Sequence, residues 1–252
     1  MNDPSKEVFD NYLPHYGKTG ARSFASIDDV KRFRLERLPR WLDRVDKQAK
    51  ILDAGCATGY LLSLLHESGY QHLTGVDLSE QLLHEARQRL PDTVQLHQAD
   101  VLDFLAQTPE SSFDLILFHH VLEHIPREHT IALLRAFRRC LREGGILSLK
   151  VPNAGCLLLG HTCYGDFTHV VHFNEVSLTQ VLEQAGFERL EFVPHPPVLY
   201  WSWRHPIRAV FRVLNRLRWH LSAWVHRAAG ILFDTQPKLR CHEIELEVVA
   251  SK

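Results

Sequence analysis

Apolar positions along the chain follow two alternating periods. Short runs rich in β-branched and aliphatic residues over 50–54, 72–77, 94–99, 113–118 and 145–151 read as strands. The stretches over 60–67, 80–90 and 127–142 carry apolar residues at helical spacing. Further on, 174–185 reads as a helix stopping at Gly186, 187–193 as a strand and 240–249 as a last strand. Strands separated by helices need crossover connections. The pattern therefore predicts a three-layer α/β fold, doubly wound, with a mostly parallel sheet and right-handed crossovers. Ahead of the first strand, Val30, Phe33, Leu35, Leu38, Trp41, Leu42 and Val45 lie between charged residues, which predicts an amphipathic helix over 30–45 with a kink near Pro39.

One stretch stands apart. Between the last two strands, 192–233 holds no acidic residue but includes Arg204, Arg208, Arg212, Arg216, Arg218 and Arg227. Wound as a helix, it places Ile207, Val210, Phe211, Leu214, Leu217, Leu221, Trp224 and Val225 on one face. Most of the arginines and His226 fall on the other, with Arg218 breaking the pattern. A basic helix that also carries Trp201, Trp203, Trp219 and Trp224 suits an anionic membrane surface or a lipid-linked substrate. It equally suits an apolar cap over the sheet, or a dimer contact.

Composition narrows the class. A length of 252 residues is enough for one decorated α/β domain: an N-terminal helical lid over 1–47, a core over 48–155 and a second half over 156–252 holding the basic insertion at about 197–236. With 45% hydrophobic and 23% charged residues and no low-complexity tract, the chain reads as globular. A formal charge of -1 leaves little field to steer nucleic acid, so no nucleic-acid partner is expected. Cys56, Cys140, Cys156, Cys163 and Cys241 form no C-x-x-C pair, which argues against a disulfide framework or a zinc knuckle. With no leader-like start and no apolar run of spanning length, a cytoplasmic location is expected, with a peripheral position at the inner membrane face as its finer form.

The first strand runs through Asp53 into Ala54-Gly55-Cys56-Ala57-Thr58-Gly59 and then directly into a helix. Glycines there allow a tight turn and let a ligand lie against main-chain N–H groups at a helix start. The spacing is not the G-x-G-x-x-G of dinucleotide sites, which leaves a nicotinamide oxidoreductase as an alternative class lacking its signature. The second strand ends in Asp77-Leu78-Ser79 and the third in Ala99-Asp100-Val101. Carboxylates at these strand ends lie where ribose hydroxyls and an adenine amino group could donate to them. Each aspartate alone could equally be a helix cap or turn residue.

Taken in order, these segments resemble the motifs of class I S-adenosylmethionine (SAM)-dependent methyltransferases. The match runs through Asp53 to Gly59, Asp77, Asp100, the strand at 113–118 followed by Val121-Leu122-Glu123-His124-Ile125, and Leu141-Arg142-Glu143-Gly144-Gly145. The resemblance covers about 48–155 and implies a seven-stranded sheet of order 3-2-1-4-5-7-6 with strand seven antiparallel. It implies that Asp53, Gly55, Cys56, Ala57 and Gly59 line the methionine part of SAM, Asp77 and Leu78 the ribose, and Asp100 and Val101 the adenine. Phe118 and His119 would lie beneath the sulfonium, and S-adenosylhomocysteine would be the product. Ala57 stands where the family more often has glycine, and binding is expected to survive the extra methyl. The aromatic segment at 9–16 would form a lid with Tyr12 and Tyr16 on the ligand, unless it is a frayed terminus.

Methyl transfer to an alcohol needs a group that takes the hydroxyl proton, and histidine titrates in the right range. Among 17 histidines, two clusters qualify: His119, His120 and His124 with Glu123 after the fourth strand, and His169 with His172 after the fifth. His124, His120 and His169 are the catalytic candidates. Asp166-Phe167-Thr168-His169 with a downstream Phe173 is similar to a segment found in a branch of these enzymes common in bacterial glycan and lipid-linked biosynthesis. That likeness favours His169 and implies methylation of a sugar, glycan or other polar acceptor. His120-x-x-Glu123-His124 also spells an inverted zinc-protease motif, but it follows a buried strand and stops at Pro126, so that reading fails. Ubiquinone-pathway O-methyltransferases have an E-x-x-E-H metal site here; with His120 in place of the first acid, no metal is expected. A SAM-binding module without turnover is the remaining alternative.

Overall fold

The computed structural model describes residues 38–156, 163–194, 206–232 and 241–252. Its elements are β1 (Lys50–Ala54), α1 (Tyr60–Glu67), β2 (His72–Asp77), α2 (Glu80–Arg89), β3 (Gln95–Gln98), α3 (Val101–Gln107), β4 (Phe113–His119), α4 (Arg127–Cys140), β5 (Leu141–Pro152), α5 (Glu175–Gln184), β6 (Arg189–Phe192), α6 (Pro206–Leu232) and β7 (Glu245–Ser251). The sheet has seven strands in the order β3-β2-β1-β4-β5-β7-β6. Pairs from β3 through β5 are parallel, and β7 runs antiparallel to both β5 and β6. This is the anticipated seven-stranded order.

Both faces of the sheet are covered, which is why its strands read as almost continuous apolar runs. Successive residues point to opposite sides: Leu115 and Leu117 of β4 enter the cluster with Leu62, Leu65, Leu83 and Ala86 of α1 and α2. Ile116 and Phe118 enter the other, with Leu133, Leu134 and Phe137 of α4 and Leu178 and Leu182 of α5. Helices on both faces leave the carboxyl edge of β1 to β5 as the place where loops, and hence chemistry, can gather.

Several boundaries differ from the periodic reading. Residues 101–107 form α3 rather than trailing off β3, because Asp100 caps the helix by accepting from the N–H of Leu102 (2.8 Å) and Asp103 (3.4 Å). At seven residues, α3 is too short to show a helical period. The helix expected to reach 142 ends at Cys140, where β5 begins and its register with β4 shifts between Phe113 and Leu115. The expected strand at 240–249 starts later, at Glu245.

Of the helix expected over 30–45, residues 30–37 lie outside the described residues. From Leu38 onward it is no continuous helix. Pro39 is extended (φ -66, ψ 144) and precedes a single 3-10 turn, Arg40–Arg44. Proline supplies no N–H and disfavours helix at the residue before it, so the chain restarts there. That turn is fastened at two points: Trp41 Nε1 donates to Glu247 Oε1 on β7 (2.8 Å), and Tyr70 Oη donates to the carbonyl of Leu42 (2.7 Å). Glu247 is buried, and its other oxygen lies 3.3 Å from Lys150 Nζ on β5.

α6 reverses the orientation that an apolar cap would need. Trp219, Ser222, Ala223, His226 and Gly230 form its less exposed stripe, and the Trp219 ring meets His242 with centroids 4.8 Å apart. Val210, Leu214, Leu217, Leu221 and Trp224 face away from that stripe and are exposed. Residues 1–37 of the lid expected over 1–47, with Tyr12 and Tyr16, lie outside the described residues, as do Trp201, Trp203 and Arg204.

Trp41→Phe should lower stability by about 1.5–3 kcal/mol, the usual worth of a hydrogen bond to a charged group. A urea melt with an unchanged midpoint would remove this fastening from the account.

Candidate active site

β1 hands over to α1 through backbone that side chains rarely adopt: Gly55 has φ 79, Ala57 φ 45 and Gly59 φ 71. The N–H groups of Gly55 and Cys56 donate to Val76 O on β2 (2.7 and 3.0 Å), which ties the turn to the neighbouring strand. Space is equally restrictive. A Cβ on Gly55 would run into a methyl of Val121, and one on Gly75 would lie 2.8 Å from Cys56 Sγ. Ala57 tolerates the left-handed region at a cost of about 1–2 kcal/mol. Its N–H donates to Asp77 Oδ2 (2.8 Å), which helps hold it there.

Three carboxylates stand along this edge. Asp77 is half-buried and its Oδ1 accepts from Ser79 N–H (2.9 Å); burial raises its pKa against the pull of these backbone donors. Asp53 is buried, and burial, followed by the charge of Asp77, pushes its carboxyl up to about 7. Burial and the same two acids push the Cys56 thiol far up, so it stays a protonated packing group. Asp100 is exposed, and its Oδ1 is the cap of α3. Gly75 pairs with Asp53, and Gln98 with Asp77, so the ends of β1, β2 and β3 lie side by side. Leu78 is 55% exposed beside Asp77, and Val101 is partly buried.

Across the switch to β4 the expectations divide. Phe118 is fully buried, its ring 4.8 Å from that of Phe137, so its side chain belongs to the core and only its backbone reaches the edge. Alternation on the strand decides this. His119 next to it is half-buried and meets Ser148 Oγ (3.0 Å). His120 adopts φ 57 and sits 3.6 Å from both Glu123 Oε1 and Glu245 Oε1. Crowding favours its neutral form, but the two acids outweigh this and raise its pKa.

The loop after β5 then folds onto the turn after β4. Val170 and Val171 N–H donate to Glu123 O (2.9 and 3.1 Å), so 163–173 hangs on the short 3-10 turn Leu122–His124. That turn is far too short for a zinc-protease helix. Thr168 Oγ1 donates to Asp166 Oδ1 (2.6 Å), and His124 Nδ1 lies 2.9 Å from Thr168 Oγ1 and 3.2 Å from Thr168 O. His169 Nδ1 faces Cys163 O (3.0 Å), and its Nε2 lies 3.9 Å from Glu123 Oε1. Burial lowers the pKa of His124, whereas the bonds from Thr168 outweigh burial and lower that of Asp166. Thus His124, His169, Glu123 and, at the rim, His120 come together. His172 instead packs on Tyr164, with centroids 4.4 Å apart. Val121 lies in the matched motif without an expected role, and Glu245 was not anticipated: the register of β7 sets it opposite Pro152 at the end of β5.

A glycine turn at the end of β1, acids at successive strand ends and the 3-2-1-4-5-7-6 sheet define a recognisable arrangement, and the methyltransferase domain family matches residues 28–191. The chain belongs to the class I SAM-dependent methyltransferases. A ubiquinone biosynthesis O-methyltransferase of Aromatoleum aromaticum is 30% identical over 207 residues, 76% of this chain and 85% of that one. A malonyl-[acyl-carrier protein] O-methyltransferase of Paenibacillus sp. is 27% identical over 212 residues, 75% and 74% of the two chains. A SAM-dependent methyltransferase of Archaeoglobus fulgidus shares the fold (TM-score 0.61, 20% identity, 88% of this chain and 92% of that one). The protein is therefore a SAM-dependent methyltransferase enzyme, and no helix among the described residues is long and apolar enough to cross a membrane.

Its buried acids suit a cationic cofactor. Because Asp53 holds its proton to about pH 7 in the fold against 3.8 ordinarily, folding takes up a proton between those values. Stability of the free protein should fall as pH rises through that window, by at most about 1.4 kcal/mol per pH unit. Asp53→Asn should flatten this slope, and SAM, bearing an ammonium and a sulfonium, should raise the melting temperature more above the window than within it. Melting curves with the same slope in parent and variant would show that Asp53 is not the group titrating.

Proposed function

We propose that this enzyme methylates a hydroxyl oxygen of a polar small molecule, a sugar or glycan foremost, and that residues 1–252 act as one domain with the cofactor on 48–155 and the acceptor against 156–252. One observation carries the reading: a buried acid and two histidines, one of them backed by a Thr168–Asp166 pair, gather at the carboxyl end of β4. An alcohol must be relieved of its proton, so such a cluster is useful for oxygen acceptors above others. The two relatives above, named as O-methyltransferases, support the same atom.

In this reading Asp53, Gly55, Cys56, Ala57 and Gly59 surround the methionine end of SAM. Asp77 and Leu78 hold the ribose, and Asp100 with Val101 borders the adenine. Each oxygen of Asp77 has a second lone pair left for a ribose hydroxyl beyond its backbone bond. His119 and the backbone of Phe118 lie beneath the reacting centre. SAM supplies a methyl group on sulfonium, an electrophile already activated. The chain aligns the acceptor oxygen, excludes water and removes the hydroxyl proton at His124, His169 or His120.

Labelled SAM offered with nucleotide sugars, glycans and quinol precursors should give transfer to a sugar-type hydroxyl. His124→Ala and His169→Ala should then slow transfer by about 10²–10⁴-fold, with the calorimetric affinity for SAM unchanged. If both variants turn over at the parent rate, the cluster has no part in catalysis. Transfer to quinols alone would replace the acceptor class.

We further propose that α6 lies on an anionic lipid surface, bringing the enzyme to a lipid-linked acceptor. The support is the exposed stripe of Val210, Leu214, Leu217, Leu221 and Trp224, flanked by exposed Arg218 and Arg227 in a stretch without acids. Each basic residue near such a surface adds about 1 kcal/mol of attraction. The protein should float with anionic but not neutral liposomes, and Leu217→Glu and Arg218→Glu should each weaken this. Sedimentation with the lipid-free fraction in every case, or a dimer abolished by Leu217→Glu, would assign the stripe elsewhere.

A further inference from the structure

We propose that Glu123, His124 and His169 hold a divalent ion of the zinc, manganese or cobalt type, with Thr168 and Asp166 as the residues that orient His124. The three side chains come from two separate segments, the turn after β4 and the loop after β5. Each presents one ligand atom, and all three atoms lie within 4.8 Å of one another. Tetrahedral bonds of roughly 2.0–2.2 Å to imidazole nitrogen and carboxylate oxygen set ligand atoms about 3.3–3.6 Å apart, so side-chain adjustments of about 1 Å would close the three around one small cation.

Glu123 makes the strongest demand. It is 2% exposed, yet among the described residues neither carboxylate oxygen accepts a hydrogen bond. The nearest basic nitrogens, His120 Nδ1 at 3.6 Å and His169 Nε2 at 3.9 Å, are within ion-pair range but lie beyond 3.5 Å, so the carboxylate is only partly paired. A buried carboxylate is costly unless it is paired or coordinates a metal.

The histidines are held in the tautomer that a metal needs. Thr168 gives its hydroxyl proton to Asp166, so toward His124 both Thr168 Oγ1 and Thr168 O can only accept. His124 Nδ1 must therefore carry a hydrogen, and the lone pair of the neutral ring is on Nε2. The same logic holds for His169, whose Nδ1 faces the carbonyl of Cys163. A ring Nδ1 donating to a carbonyl, or to a hydroxyl backed by a carboxylate, is the usual support of histidine that binds a metal through Nε2. Two imidazoles and one carboxylate favour borderline transition ions over magnesium, which prefers oxygen alone.

This ligand set differs from the E-x-x-E-H arrangement. The residue at the position of its first acid, His120, stands between Glu123 and Glu245 at the rim, and the third ligand arrives instead on His169 from the loop after β5. An ion there would couple that loop to the acceptor site and supply Lewis acidity to an acceptor hydroxyl; with the imidazoles of His124 and His169 taken up as ligands, His120 is the histidine of the cluster left to take the hydroxyl proton. Only this consequence rests on the methyltransferase reading; binding itself does not.

The test uses the tag-free full chain, stripped with chelator and titrated with Zn²⁺, Co²⁺, Mn²⁺ and Mg²⁺ by calorimetry, with Co²⁺ also followed by its visible absorption. One equivalent of Zn²⁺ or Co²⁺ should bind at least about 10-fold more tightly than Mg²⁺. His169→Ala and Glu123→Gln, checked for folding by circular dichroism, should abolish it, whereas His120→Ala should retain it. Thr168→Val should weaken binding about 10–100-fold, and Thr168→Ser should restore it. Absence of stoichiometric binding, equal affinity for Mg²⁺, or binding that survives His169→Ala would overturn the proposal. Titrating SAM into the same stripped protein keeps the outcomes apart, since failure there would strike the cofactor site and leave the metal result standing.

Discussion

Buried negative charge at the carboxyl edge of the sheet is the constraint around which the rest is arranged. Asp53 is enclosed by the sheet and repelled by Asp77, and its carboxyl accordingly holds a proton up to about 7. A fold tolerates such a cost only if something else secures the strands, and here the securing element is apolar burial on both faces. What the edge gains is a low-dielectric place in which a cation is strongly favoured. A sulfonium cofactor is a cation, so under the proposed placement of SAM the unfavourable electrostatics of the free chain and the affinity for the cofactor would be two aspects of the same arrangement.

The glycine turn after β1, the turn after β4 and the loop after β5 are mechanically joined. Val121, the residue after His120, packs so closely on the glycine turn that Gly55 has no room for a Cβ. Two residues on, Glu123 carries the loop after β5 through its backbone carbonyl. A shift of the glycine turn is thus passed within three residues to the group facing His169. Tight packing transmits displacement where a loose edge would absorb it, and a reaction that depends on alignment benefits from that stiffness.

The half of the chain built on short-range rules was legible from sequence. Alternating periods gave the strands and most helices, and the spacing of Asp53, Asp77 and Asp100 pointed to strand ends that the sheet does bring side by side. Where reading failed, the deciding interaction was either too short or too distant. α3 escaped because seven residues show no period, although Asp100 as a cap was a signal. The ring of Phe118 turns into the core because strand alternation, not proximity to the edge, decides which way a side chain points, and only its backbone reaches the edge. Glu245 and Glu247 escaped because, although the order β5-β7-β6 was expected, the register of β7 that sets them near Lys150, His120 and Trp41 is not written in spacing along the chain.

α6 shows a different limit. A helical wheel says that one face is apolar, but not which face turns inward. The ordinary expectation, apolar side to the core, rests on the gain from removing that side from water. Here the inward stripe is held by particular contacts instead: Trp219 against His242, and a buried His226 whose pKa burial lowers. Keeping a Leu/Val/Trp stripe exposed forgoes roughly 1.5–3 kcal/mol for each large side chain left in water. A folding requirement alone does not account for that sacrifice, because substituting polar residues on the outer face would leave the inward contacts intact. The stripe is therefore better explained by something that meets it from outside the described fold.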